Sequence, residues 1–468
     1  MDKKEIERIS KRLTAQPKLV WDAIDEKGKD KVFSFDQEYQ RFLNTAKTER
    51  ESVKAIRETA LKHGFSLNTP SKAPIRLMRS FQEKSIALSV SGRKPLSEGI
   101  NLIVSHLDSP RLDLKQNPLY EEIDLAFMKT HYYGGLKKFQ WLTRPLAIHG
   151  RIIRSDGSSL DIVVGEETSD PVFTIADLLP HLARKVQTDK KVSEAFVGEK
   201  LNLMVGSLPF GVKDTKERFK LAILNLLNEK YNLIEEDFIS AELEVVPAGP
   251  ARDIGWDRGL TGAYAHDDRS CAFSSLKAIL DAKTPQKTAL VLFVDKEEIG
   301  SDGATGAKSR FLESVLADLM VAHGQEPLYH EIHKVLMNSR ALSGDVNGAL
   351  DPDYQDVHEK RNAARLGYGV CLTKFTGSGG KYGANDANAE YIGWLRALFN
   401  KKKVVWQTGE LGKVDEGGGG TVAKFLARYG MQIIDCGPPV LSMHSPFEIA
   451  HKGDIYMTYK GYRVFLES

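Results

Sequence analysis

The sequence predicts an α/β protein whose main sheet is covered on both faces and whose chain is interrupted by a β-rich insertion. Three observations carry this. The stretches "GINLIVSHLDSPRLDL" and "TALVLFVD" are apolar runs without alternation, the pattern of central strands buried on both sides. From Asp267 onward, strand and helix patterns alternate. Between about residues 113 and 247 that alternation is lost, and short strands take its place. A chain of 468 residues with 41% apolar content can bury a large core, which suits two or three domains.

The elements follow in order. Residues 1 to about 62 combine helical spacing with dense charge, and "SFDQEYQRFLNTAKTERESVKAIRETALKHGF" reads as one or two amphipathic helices ending at Gly64. They form a helical layer. "SIALSVSG" and "GINLIVSHL" then read as neighbouring strands. In the middle, "GRIIRSDGSSLDIVVG" alternates about an Asp-Gly pair, a hairpin signal, and "DTKERFKLAILNLLNEKYNL" is an amphipathic helix. Residues 1–112 and 248–468 therefore read as one discontinuous domain, with 113–247 inserted into it. After the insertion come a helix in "SCAFSSLKAILDA", a strand in "TALVLFVD" and a helix in "RFLESVLADLMVAHG". No repeat of fixed period is present, and "DEGGGGTVAKFLARYG" holds the only glycine run that looks like low complexity.

Composition excludes several partners. Lys and Arg total 65 against 63 Asp and Glu, a net charge of +2 that is too balanced for a nucleic-acid or polyanion surface. Cys271, Cys371 and Cys436 are scattered and form no C-x-x-C pair, which fits a reducing compartment without a disulfide framework. The start "MDKKEIERISKRL" is charged throughout, unlike a signal peptide, and no apolar run approaches membrane-spanning length. The expectation is a cytoplasmic protein without a membrane partner.

The chemistry sits at strand ends. Glu297 and Glu298 follow the run ending at Val294, at the carboxyl end of a strand, where open α/β sheets bind ligands. A Glu-Glu pair alone more often marks a solvated helix face. Burying both carboxylates without partners is costly, and a divalent cation relieves that cost. His106 and Asp108 end another apolar run two residues apart, so the carboxylate is close enough to orient the ring. Asp267 and Asp268 precede a helix, where an N-cap is the plain reading. Asp345 lies in a Ser-Gly-Asp loop that suits an Asx turn, and His444 lies in another loop. Taken together, two histidines, aspartates and a Glu-Glu pair without any cysteine ligand describe hard-to-borderline coordination, most naturally of two zinc ions.

These residues resemble the aspartyl aminopeptidase and vacuolar aminopeptidase I family of dinuclear zinc exopeptidases. The resemblance runs through "SHLDSPRLDLK", "YYGG", "LLPHLA", "HDDRSCAF", "DKEEIGS", "SGDVNGALDPDY" and "LSMHSPFE", in order over nearly the whole chain. It implies a zinc-exopeptidase-like α/β/α catalytic domain with an inserted β-rich dimerisation domain. It also implies a homo-oligomer built from dimers, a dodecamer. The implied ligands of two zinc ions per subunit, with manganese or cobalt as alternatives, are His106, Asp267, Glu298, Asp345 and His444, with Asp267 bridging. Glu297 is implied as general base, and Asp108 as the acid that orients His106. His181, in "FTIADLLPHLA", matches a histidine brought to the active site from the inserted domain, by way of a neighbouring subunit. Lys374 and Lys381, with Tyr382, fall in "LTKFTGSGGKYGAND", where the family places substrate contacts. That loop departs from the acid-selective pattern, which favours broader or neutral specificity for peptides with free amino termini. The activity implied is a metallo-aminopeptidase. Its rivals are a dinuclear amidohydrolase or deacylase acting on small amides, and a non-catalytic assembly protein.

Overall fold

The computed structural model describes residues 1–15, 17–68 and 74–468. Its centre is an eight-stranded mixed sheet in the order Arg76–Phe81, Ser85–Val90, Ala289–Val294, Asn101–His106, Arg340–Ser343, Gln432–Gly437, Val370–Thr373 and Trp406–Thr408. The four strands from Ala289–Val294 to Gln432–Gly437 are mutually parallel. Their carboxyl ends therefore line up along one edge, and that edge carries the site.

Alternate residues of each strand face opposite layers. Ile103, Val291 and Phe293 pack with Leu276 of the helix His266–Asp281 and Tyr462 of the helix Lys452–Leu466. Leu102, Val104 and Leu292 pack on the other side with Leu316 of Phe311–Ala322 and Leu336 of Tyr329–Met337. With both faces apolar, neither run can alternate, and this is the sequence pattern observed.

The amino-terminal helical layer contains two long helices, Glu26–Thr45 and Glu49–Lys62. A capping box divides them: the Glu51 carboxylate accepts the Thr48 backbone N–H at 3.0 Å, and the Thr48 side chain accepts the Glu51 N–H at 3.3 Å. The helix signals in "SCAFSSLKAILDA", "RFLESVLADLMVAHG" and the middle segment all correspond to helices, the last being Arg218–Tyr231.

Residues 111–247 form a six-stranded antiparallel sheet with its own core around Trp141, Leu203 and Val245. The Asp-Gly signal is the turn joining Leu146–Ile153 to Ser159–Val164, and Gly157 takes φ +82° there, a conformation that favours glycine. This sheet is fastened to the helical layer by paired buried charges. Arg111 lies 3.3 Å from Glu49 and 3.2 Å from Glu244, and His149 bridges Glu51 and Glu166 at 2.7 and 3.0 Å.

A smaller five-stranded sheet, Arg252–Ile254, Leu260–Ala263, Glu448–His451, Pro439–Leu441 and Asn347–Gly348, lies beside the site and carries the His444 loop. Cys271, Cys371 and Cys436 are free and buried. Among the described residues no helix is long and apolar enough to cross a membrane.

Candidate metal centre

Three neighbouring parallel strands deliver the first residues of the site. His106 ends its strand, Glu297 and Glu298 follow Val294 by three and four positions, and Asp345 lies two beyond Ser343. Asp267 comes from the start of the helix His266–Asp281, where its ψ of 106° is not helical and the Asp267–Asp268 peptide is cis. The plain N-cap reading does not hold for it, since its carboxylate faces two imidazoles. His444 occupies the loop between Pro439–Leu441 and Glu448–His451.

Asp267 divides its oxygens: Oδ1 lies 3.2 Å from His106 Nε2, and Oδ2 lies 3.3 Å from His444 Nε2. His106 Nε2 is also 3.9 Å from Asp345 Oδ1, and His444 Nε2 is 3.4 Å from Glu298 Oε2. Two sets result, His106 with Asp267 and Asp345, and Asp267 with Glu298 and His444, each offering ligand atoms within 4.8 Å of one another. His106, Glu297 and Glu298 make a third set of the same tightness.

A metal fits these residues on the chemistry of the donors. Asp267 Oδ1 and Glu298 Oε1 are buried and accept no hydrogen bond. Short Nε2–Oδ1 separations without hydrogen-bond geometry describe groups aimed at a common third point. Burial, followed by the charge of Asp267, pushes the pKa values of Glu298 and Asp345 well above the usual carboxylate range. A divalent cation would reverse that. Burial opposes charge on His106 and His444, yet the carboxylates around them prevail, holding His106 well above its ordinary value and His444 up to about 10. The same imidazoles hold Asp267 below its ordinary value against burial. Burial is also the main reason that Glu297 is pushed up to about 7.

The surrounding contacts fix these side chains. His106 Nδ1 lies 3.0 Å from the Asp108 carbonyl and 3.4 Å from its carboxylate. That carboxylate also accepts the backbone N–H groups of Glu297 and Glu298, each at 3.0 Å, and the Tyr133 hydroxyl at 2.8 Å. Asp108 thus holds the Glu-Glu turn as well as the ring. Asp268 turns inward to accept the His106 backbone N–H at 3.3 Å. Glu448 accepts the N–H groups of Asp267 and His444 at 2.9 and 2.7 Å. Glu448 and Tyr133 were not singled out from sequence, although they lie inside the motifs "LSMHSPFE" and "YYGG".

The site opens into a cavity of about 690 Å³ that extends to the ribbon formed by Gly377–Ser378 and Gly418–Gly419. Lys381 lines this cavity, and its Nζ is 2.8 Å from Asp386. Lys374 is not among the lining residues; its Nζ also pairs with Asp386, at 3.1 Å. His181 lies exposed on the short helix Pro180–Ala183 of the insertion, outside the metal cluster and the cavity of its own chain.

The family described as aminopeptidase I zinc metalloprotease (M18) matches residues 42–466. A probable M18 family aminopeptidase 1 from Clostridium acetobutylicum is 48% identical over 465 residues, spanning 97% of this chain and 99% of that one. The crystal structure of an M18 aminopeptidase from Thermotoga maritima superposes with a TM-score of 0.93 at 46% identity, covering 97% of this chain and 100% of the other. The mApe1 dodecamer of S. cerevisiae shares the fold at 20% identity, with a TM-score of 0.74 over 92% of this chain and 95% of that one.

Proposed function

Because the chain belongs to the M18 family and is a zinc metallo-aminopeptidase, we propose that it would hold two ions, with Asp267 serving both sets of ligands, and that Glu297 is its proton carrier. The observation that carries this reading is the division of the Asp267 carboxylate between His106 and His444. His106, Asp267 and Asp345 would hold one ion, and Asp267, Glu298 and His444 the other. When bound, zinc supplies Lewis acidity that polarises a scissile carbonyl and lowers the pKa of water.

The remaining chemistry belongs to the chain. Glu297 is absent from the two sets that share Asp267, although it stands with His106 and Glu298 in the third; in this reading its carboxylate takes the proton of the attacking water and returns it to the leaving amine. The Asp108 carboxylate fixes the backbone of both glutamates, and so holds the proposed ligand and the proposed base side by side. Glu448 does the same for Asp267 and His444.

We further infer a homo-oligomer assembled through the insertion, as a dodecamer. The shared fold with a dodecameric structure supports this, as do the exposed Leu178, Leu179 and Leu182 around His181.

The test is hydrolysis of aminoacyl p-nitroanilides and their N-acetylated counterparts, with chelator and after zinc is restored. The free-amine substrates should be cleaved, lose turnover with chelator and recover with zinc. Preference for the N-acetylated series would favour the amidohydrolase reading instead.

A further inference from the structure

The cavity also holds a buried carboxylate that the reaction above does not use. Asp435 lines the cavity and is 3% exposed, yet neither of its carboxylate oxygens has a hydrogen-bond partner. It is the middle of a polar row across three strands, in register with Ser343 on one side and Thr373 on the other. Residues in direct register share a face of the sheet. The neighbours of the row extend the pattern. Asn347 donates from Nδ2 to Thr373 Oγ1 at 2.7 Å, which leaves its Oδ1 unpartnered, and the Ser343 hydroxyl is unpartnered too.

Unpaired oxygens of a buried carboxylate and a buried amide call for a ligand that donates hydrogen bonds, as an ammonium or guanidinium does, while the Ser343 hydroxyl can donate or accept beside them. Glu359 and Glu410 also line the cavity. Of the two lysines there, Lys381 is held by Asp386 at 2.8 Å and lies over the Phe375 ring at 4.0 Å, while Lys413 is exposed. Burial pushes the Asp435 pKa up to about 6, against the nearby Thr421 and Ser343 hydroxyls. Asp435 pairs with Ser343, two residues before Asp345 in the chain. A long side chain would reach it from a residue whose carbonyl sits at the metal cluster.

We propose that this part of the cavity is a subsite for a basic amino-terminal side chain, lysine or arginine, with Asp435 as its charge partner. The proposal rests on the aminopeptidase reading. It assigns the cavity the opposite charge preference from an acid-selective enzyme, and it makes an amino-terminal glutamate or aspartate a poor substrate by like-charge repulsion.

The experiment compares kcat/KM for lysyl-, arginyl-, leucyl- and glutamyl-p-nitroanilide in the zinc-loaded protein and in Asp435→Asn, with metal content measured in both. The wild type should favour the basic pair over leucyl and reject glutamyl. In Asp435→Asn the basic substrates should lose roughly 10- to 100-fold, mainly through KM, while leucyl changes little. Free L-lysine should inhibit the wild type more strongly than L-leucine, a comparison that stands even if the variant does not fold. Equal loss on all substrates would overturn the proposal, by showing that Asp435 serves the backbone of every substrate. Leucyl turnover without any advantage for lysyl would overturn this subsite alone. A zinc-loaded wild type inert on the whole panel would overturn the aminopeptidase reading along with it.

Discussion

One oxygen of the Glu448 carboxylate accepts the backbone N–H of Asp267 at 2.9 Å, and its other oxygen accepts that of His444 at 2.7 Å. A single buried side chain from the smaller sheet thus sets two of the proposed ligands, 181 and four residues away in sequence. Glutamine at this position keeps one acceptor and turns an N–H2 group toward the other donor. Glu448→Gln should therefore weaken zinc binding by about 10- to 100-fold, the usual effect of losing a partner behind the ligands. Equilibrium dialysis against zinc measures it, and unchanged affinity would remove Glu448 from the site.

Tyr133 links the insertion to the same centre. Its hydroxyl is one of three hydrogen-bond donors to the Asp108 carboxylate, and its ring lies 4.1 Å from the Arg111 guanidinium. Tyr133→Phe keeps the ring and leaves one lone pair of a buried acceptor unused, a loss of about 1 kcal/mol. Turnover should stay within about tenfold of wild type, whereas Asp108→Asn should fall further, because an amide cannot accept both glutamate N–H groups. Initial rates at saturating zinc distinguish the two, and a larger loss in Tyr133→Phe would contradict this ranking.

Much of the centre was legible because strand ends are legible. An apolar run that stops at His106, or at Asp295 before Glu297, marks a sheet edge by composition alone. The division of labour between Asp267 and Asp268 was not legible from spacing, since both precede the same helix. Long-range contacts separate them: Asp268 accepts the His106 backbone N–H, while Asp267 faces both imidazoles. Glu448 and Tyr133 lie inside quoted motifs, yet nothing local marks their roles, because their partners are brought together only by the folded sheets. Lys374 shows the converse. A lysine in a glycine-rich loop has no periodicity to set its direction, and here it turns to Asp386. Asp435 sits as one acid in the run "QIIDCG", where strand pattern says nothing about which cavity a side chain reaches.

His149 should make the join between insertion and helical layer pH-dependent. Burial works against its charge, but hydrogen bonds to Glu166 and Glu51 prevail and raise its pKa above the ordinary value near 6.5; Lys47, 2.6 Å from Glu166, shares the cluster. A histidine whose folded pKa is raised gives its full stabilisation below the unfolded pKa and loses it as pH rises through the folded value. Thermal stability should thus decline from about pH 6.5 upward. His149→Gln should flatten that decline in melting curves taken across the interval. An identical pH profile in the variant would mean that this histidine is not its source.

His181 is exposed in the single chain and lies outside the cavity there. If a neighbouring subunit receives it, His181→Ala should lower turnover while zinc content and particle mass by light scattering stay unchanged. Full activity in an intact particle would exclude it from the site.

The adjacent glutamates provide the most direct test of the mechanism. Glu298→Gln should lower zinc occupancy, since a neutral amide is a poorer donor to a divalent cation than a carboxylate. Glu297→Gln should leave zinc bound while the rate falls by at least about 10²- to 10⁴-fold, the range for a positioned proton carrier. Elemental analysis and initial rates on the same preparations, at saturating zinc, give both quantities. Retained zinc with collapsed turnover in Glu297→Gln is the predicted result. Near-normal turnover in that variant, or zinc loss there while Glu298→Gln stays loaded, would contradict the account.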